Sequence, residues 1–298
     1  MILNPAYLCA FIPYESVYNN EVIDGVYCYG EVAFPSILLR QLYRKQQFPI
    51  GMGCMTFSEY LDILYEDNHC LVLNKPAGWP TTHYQGREET VDRLVKSYLK
   101  EKYRKPGNVF LGVVHRLDKP VSGALLFART SKAAVRLCEQ FRLGAVEKVY
   151  WAVIEELRQS RNALASPWCQ HDSGTLQDWL IKEESDRKVI VTHAGNPKAQ
   201  LARLVFQVKA RHKGLILLEL RPHTGRKHQL RVQLASRGYP IYGDNKYGSP
   251  HRFGHAIALH ARSLTFLHPI TQEPLTVTAP LPRYWLGRFA YLLQSIAS

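Results

Sequence analysis

The segment that most constrains this chain is His115-Arg116-Leu117-Asp118-Lys119-Pro120-Val121-Ser122-Gly123, which joins Val113-Val114 to an apolar run beginning at Gly123. A charged loop between two buried segments must find partners inside the fold, because an unpaired charge there is costly. Taken alone, an R-x-D segment reads as an ion pair fastening a turn. Two other segments are equally polar for their surroundings. Glu147–Ala152 alternates as a strand, with Lys148 and Tyr150 on one side. Core packing of a tyrosine would account for it in isolation. Arg221–Leu234 carries Arg226, Lys227, His228 and Arg231. On a helix capped by Thr224 and closed by Gly238, Lys227, His228 and Arg231 share one face, and Leu230 and Leu234 form another stripe. Alone, that reads as a basic solvated helix.

Charge narrows the possible partners. The 298 residues carry 38 Lys and Arg against 25 Asp and Glu, a net charge of +13. Residues 1–58 contribute Arg40, Arg44 and Lys45 against four acidic residues, so residues 59–298 carry a net +14. Two dense stretches, Arg93 to Lys105 and Lys209 to Arg231, suggest a phosphate backbone as partner, since nucleic acid binding draws on such clusters. No basic amphipathic helix with a broad aromatic face is evident, so a membrane surface is not expected. With no run of eighteen apolar residues, a spanning helix is excluded. Met1 to Tyr14 lacks a basic residue and contains Pro5 and Pro13, unlike a signal peptide. The six cysteines form no C-x-x-C pair, which fits free thiols in a cytoplasmic protein.

The first 58 residues are poor in charge and read as an N-terminal extension or small subdomain, with helical periodicity only over Pro35–Gln47. From Glu59 onward strands and helices mix. Strands are expected at Leu61–Tyr65, Cys70–Leu73, Gly123–Arg129, Val146–Ile154, Leu201–Val208, Gly214–Arg221, Ala256–Phe266 and Leu275–Ala279. Helices are expected at Thr90–Arg104, at Ser131–Arg142 capped by Ser131, and at Thr224–Arg237. More strands than helices in mixed order imply an α+β domain around a largely antiparallel sheet.

Together these segments resemble the RluA family of pseudouridine synthases. The family signature H-R-L-D-x-x-[ST]-S-G reads H-R-L-D-K-P-V-S-G here. Lys148-Val149-Tyr150 matches its strand motif, Gly225 to Arg231 its G-R-[TS]-H-Q-[IL]-R motif, Gly243-Asp244 its Gly-Asp pair, and Asn74–Gly78 its N-K-P-[AP]-G turn. The match runs through residues 60–285 in the family's order. Val121 and Lys227 stand where relatives carry Thr or Ser, and Gln233 where many carry His.

The resemblance implies the pseudouridine synthase fold: a largely antiparallel mixed sheet flanked by helices, with the catalytic loop in a central cleft. It implies an isomerase that flips a uridine out of structured RNA, a step costing a few kcal/mol. It also implies that no metal or nucleotide cofactor takes part. Asp118 is then the catalytic carboxylate, Arg231 its ion-pair partner, Tyr150 the platform for the flipped uracil, and Arg116 the side chain entering the vacated space. Lys75 is read either as a phosphate contact or as part of a fixed turn. Large-subunit rRNA ranks first as substrate and tRNA second, and the protein is expected to act as a monomer. A non-catalytic RNA-binding or ribosome-assembly factor is disfavoured because binding alone needs no buried nucleophile. A metal-dependent phosphate-ester hydrolase is remote, since no further ligand cluster accompanies the Asp118 loop.

Overall fold

A computed structural model describes residues 61–82, 89–155, 171–183 and 188–297. The expected N-terminal extension over residues 1–58 lies outside these residues, as does the Pro35–Gln47 helix. The described strands are β1 (Ile63–Glu66), β2 (Cys70–Lys75), β3 (Gly112–Val113), β4 (Ser122–Ala128), β5 (Glu147–Glu155) and β6 (Ser173–Lys182). They continue with β7 (Val189–Thr192), β8 (Gln200–His212), β9 (Leu215–Pro222), β10 (Leu259–Leu267) and β11 (Pro274–Thr278). All join one sheet in the order β1-β2-β4-β10-β5-β9-β8-β6-β7, with β3 on β4 and β11 on β10. The β4–β10 pairing is parallel, and the other strand pairings described are antiparallel. This is the mixed, mostly antiparallel sheet expected of an α+β chain.

Strand β4 is buried along its whole length. That explains its continuous apolar reading, because a strand covered on both faces loses the alternation of a half-solvated one. Helix α1 (Val91–Lys102) buries Val91, Leu94, Val95, Tyr98 and Leu99. These residues recur at helical spacing on one stripe, and each such side chain contributes about 1.5–3 kcal/mol on full burial. Helix α2 (Ser131–Leu143) is capped by Thr130, not Ser131: the Thr130 side chain accepts from the Ala133 N–H, and Gly144 closes the helix at φ 71°. Either hydroxyl satisfies the capping pattern, and the chain uses the one whose backbone is still extended.

Helix α3 (Gln229–Ala235) is much shorter than the expected Thr224–Arg237. Thr224 does not cap it. Its hydroxyl donates to Gln229 Oε1 and accepts from the Arg203 N–H, and His228 starts the helix from a left-handed backbone at φ 51°. Lys227 and His228 therefore precede α3, and the helical face they were expected to share with Arg231 does not exist. β6 and β7 have no counterpart in the sequence reading: β6 fully buries only Leu176 and Leu180, and β7 is four residues long with only Val189 buried. The chain ends on α4 (Arg283–Arg288) and α5 (Ala290–Ala297). No described helix is long and apolar enough to cross a membrane.

Candidate active site

The loop carrying Asp118 enters the sheet at β4, where β4 meets β10 in the middle of the strand order. Gly123 is required there. Its φ of 115° suits only glycine, and a Cβ would run into the Ala261 backbone of β10. Beside it the Ser122 hydroxyl lies 2.9 Å from His260 Nδ1 in the core. The loop is fastened from several sides. Thr81 Oγ1 donates to the Leu117 carbonyl at 2.9 Å and accepts from its N–H at 3.2 Å. The Gly78 N–H donates to the Lys119 carbonyl at 2.7 Å, Ile257 to Pro120 at 3.1 Å, and Val121 closes a turn onto the Asp118 carbonyl at 3.0 Å. Val121 is buried, so this turn is closed by backbone and needs no hydroxyl at that position.

Lys75 settles between its two readings in favour of the fixed turn. It is wholly buried. Its Nζ donates to the carbonyls of Trp79 at 2.7 Å, Pro76 at 2.8 Å and Lys119 at 3.3 Å. Burial pushes the ammonium down to about 7, opposed by the Asp118 charge. A lysine so enclosed cannot reach a phosphate, and it clamps the Asn74–Gly78 turn to the Asp118 loop.

Arg231 meets Asp118 as the sequence suggests, but it does more. Its Nη1 donates to Asp118 Oδ2 at 3.0 Å, while Nε and Nη2 form a two-pronged pair with Asp244 at 2.7 and 2.8 Å. The Asp244 side chain is 1% exposed and that of Asp118 29%. Asp244 is thus the buried counterion and Asp118 the one open to an incoming molecule. Burial alone would lower the Arg231 pKa, but contact with Asp244 and then Asp118 outweighs it and keeps the guanidinium charged. Gly243, at φ 85°, lets the chain turn tightly enough to bring Asp244 inward, since a Cβ would strike Phe253.

Tyr150 lies in β5 between Ala261 of β10 and Leu220 of β9. Burial and then the Asp118 carboxylate raise its phenol above the ordinary range, so it stays protonated. Lys148, on the same side of β5, is lowered by burial. His115 is pushed down to about 3 by burial and by Lys148. The neutral ring accepts from the Leu126 N–H at 2.9 Å and stacks on Phe141, so it belongs to the scaffold. Arg116 is exposed, and no hydrogen bond or ion pair holds its guanidinium among the described residues. Asp118, Arg231 and Tyr150 are brought together, and Arg116 stands at the rim of the same loop.

Sequence reasoning missed three neighbours. His228 Nε2 lies 3.7 Å from Asp118 Oδ2, and His228 Nδ1 lies 2.8 Å from the Tyr247 hydroxyl. The Arg231 guanidinium sits 5.0 Å from the Tyr247 ring centroid. Asp244 carried the signal of its Gly-Asp pair, but nothing in the sequence said what it paired with. Lys246 is lowered by burial and then by Arg231, Lys227 and Lys188. These cations therefore crowd one side of the site, as a polyanion would require.

The pattern of the RNA pseudouridylate synthase family matches residues 69–236. A Vibrio cholerae protein named tRNA pseudouridine synthase C is 32% identical over 235 residues, covering 76% of this chain and 93% of the relative. The Bacillus subtilis uncharacterized RNA pseudouridine synthase YhcT is 35% identical over 278 residues, covering 91% and 81%. Among solved structures, human RNA pseudouridylate synthase domain containing 4 superposes with a TM-score of 0.60 at 25% identity. That match covers 79% of this chain and 92% of the human one.

Proposed function

This chain belongs to the RluA-type family of RNA pseudouridylate synthases, and from that premise we propose that it isomerises a uridine of transfer RNA at Asp118. As a pseudouridine synthase it is an intramolecular isomerase. The N1–C1′ bond of the target uridine breaks, uracil turns, C5 bonds to C1′, the C5 proton leaves and N1 takes one up. The chemistry is assigned to residues 59–298.

The observation that carries the catalytic reading is the asymmetry of Asp118. One oxygen is held by Arg231, and the other has no partner among the described residues. Arg231 orients the carboxylate through a charge-assisted hydrogen bond at 3.0 Å. The charged form is the one that can act as nucleophile or base. Tyr150, protonated beside Asp118, offers the uracil a stacking face and a hydroxyl. Arg116, unpaired among the described residues, stands at the rim to enter the space that the flipped base leaves in the RNA stack.

Transfer RNA takes precedence over the large-subunit rRNA favoured from sequence, because relatives matched along 93% and 95% of their length carry the name tRNA pseudouridine synthase C. The test is pseudouridine mapping of separated tRNA and rRNA from cells with and without the protein. A site lost from tRNA supports the proposal, and loss confined to rRNA overturns it.

A further inference from the structure

The mechanism above leaves unused a histidine with strained backbone, half-buried beside the reacting carboxylate. His228 adopts φ 51°, a conformation costly for a residue with a Cβ and one that concentrates at functional sites. Its ring bridges two groups. Nδ1 lies 2.8 Å from the Tyr247 hydroxyl, and Nε2 lies 3.7 Å from Asp118 Oδ2. The Tyr247 oxygen already accepts the Val189 N–H at 3.1 Å. With the hydrogen on Nδ1 the tyrosine proton would have no acceptor among the described residues, so the tyrosine donates to Nδ1 and the ring hydrogen sits on Nε2. That hydrogen points to the oxygen of Asp118 that Arg231 already holds.

We propose that His228, fixed as its Nε2–H form by Tyr247, is a positioning residue that with Arg231 occupies Oδ2 of Asp118 and leaves Oδ1 to meet the substrate. The inference rests on Asp118 as the reacting carboxylate. The charged and titratable groups facing the ring are Asp118, Arg231, Lys227, Lys246 and Tyr247. Burial pushes the ring down to about 4 against the pull of Asp118, and the three cations add to burial. The ring is therefore neutral at physiological pH, where the choice between its two nitrogens has meaning. A separation of 3.7 Å exceeds a hydrogen bond, and contacts of this kind commonly tighten only when substrate closes the site. The reverse form would aim a lone pair at the carboxylate and push Asp118 away from Arg231.

Two measurements test this. Nitrogen-15 spectra of histidine-labelled protein without RNA should show His228 neutral and protonated at Nε2 at pH 7, and mixed between nitrogens in Tyr247→Phe. A ring protonated at Nδ1, or charged at pH 7, overturns the proposal. Turnover is read as tritium released from total RNA labelled at uracil C5, an assay that needs no knowledge of the target. His228→Leu should lower kcat by at least about tenfold with KM within about twofold, and His228→Gln, which keeps a donor near the Nε2 position, should recover most of it. Both variants bear the same backbone cost, so their difference reads the donor. Equal kcat in His228→Leu and the native protein overturns the proposal. Failure of the Asp118 reading appears separately, as turnover retained by Asp118→Asn.

Discussion

Two ionic clusters of this molecule invite comparison, one around Glu66 and one around Asp118. The Glu66 carboxylate accepts from the Tyr98 hydroxyl at 2.6 Å, Tyr103 at 2.7 Å, Lys102 at 2.8 Å and Arg129 at 3.1 Å. Both of its oxygens are engaged, and its side chain is 8% exposed. Burial would raise its pKa, but the bonds from Lys102, Tyr98 and Tyr103 more than offset that and hold it below the usual carboxylate range. Asp118 has one oxygen shared between Arg231 and His228, the other without a partner among the described residues, and an exposure nearly four times as large. A saturated carboxylate ties α1 to β1. An unsaturated one, oriented by a shared arginine, keeps bonding capacity for a substrate. The difference lies in how many acceptor sites the fold leaves open, since both clusters are charged and both are paired.

The sharpest way to break the comparison is to neutralise each carboxylate. Asp118→Asn should lower turnover by about three orders of magnitude or more and change stability by no more than about 0.5–1 kcal/mol. Glu66→Gln should cost about 3 kcal/mol of stability by leaving Arg129 and Lys102 without their counterion, with turnover of the folded protein preserved. Chemical denaturation and turnover on the same samples check both halves.

Arg231→Met sharpens it next. The change strands Asp244 in the interior and should cost about 3–5 kcal/mol. In double-mutant cycles of unfolding free energy, Arg231 should couple more strongly to Asp244 than to Asp118, because the buried pair is two-pronged and the exposed one is a single bond. Equal coupling would mean that Asp118 is as enclosed as Asp244.

Tyr150→Ala should weaken productive binding by about 1–3 kcal/mol if the ring stacks on uracil, read as a fall in kcat/KM. The corresponding tyrosine of the saturated cluster, Tyr103, should leave kcat/KM unchanged when replaced by Phe.

Much of the site was legible in the sequence because its residues sit in short motifs whose polarity conflicts with their apolar flanks. Asp118, Tyr150 and Arg231 are brought together as their motifs suggest. The strands β4 and β5 were legible as well, because their apolar runs are long. Partner choice was not. The sequence pairs Arg231 with Asp118, whereas the fold gives its two-pronged bond to Asp244, thirteen residues on. Helical periodicity also misled: Leu230 and Leu234 imply a helix from Thr224, but the chain keeps residues 224–228 irregular so that Thr224 can reach Arg203 and His228 can face Asp118. Such local strain is set by tertiary contacts that no residue pattern announces. β6 escaped notice because its buried face is only two leucines.

The mildest test concerns pH. His228 and His260 are pushed down to about 4, and His115 to about 3, in each case first by burial. Below about pH 6.5 the unfolded chain takes up protons at these rings that the folded protein refuses until about pH 4. Stability should therefore be full above pH 6.5 and decline as pH falls through 6 and 5, before the carboxylates of the Glu66 cluster titrate. Unfolding midpoints at pH 7.5, 6 and 5 check this, and a flat profile over that range would place these rings in solvent.

The central claim is that this chain isomerises uridine in RNA through the open carboxylate of Asp118. It is tested most directly by incubating purified native protein and Asp118→Asn with RNA tritiated at uracil C5. The C5 hydrogen must leave when that carbon bonds to the ribose, so each turnover releases one label to water. The account expects release by the native protein, matched by pseudouridine in the digested RNA, and none above background from Asp118→Asn that still folds. Release by both proteins at similar rates would contradict it.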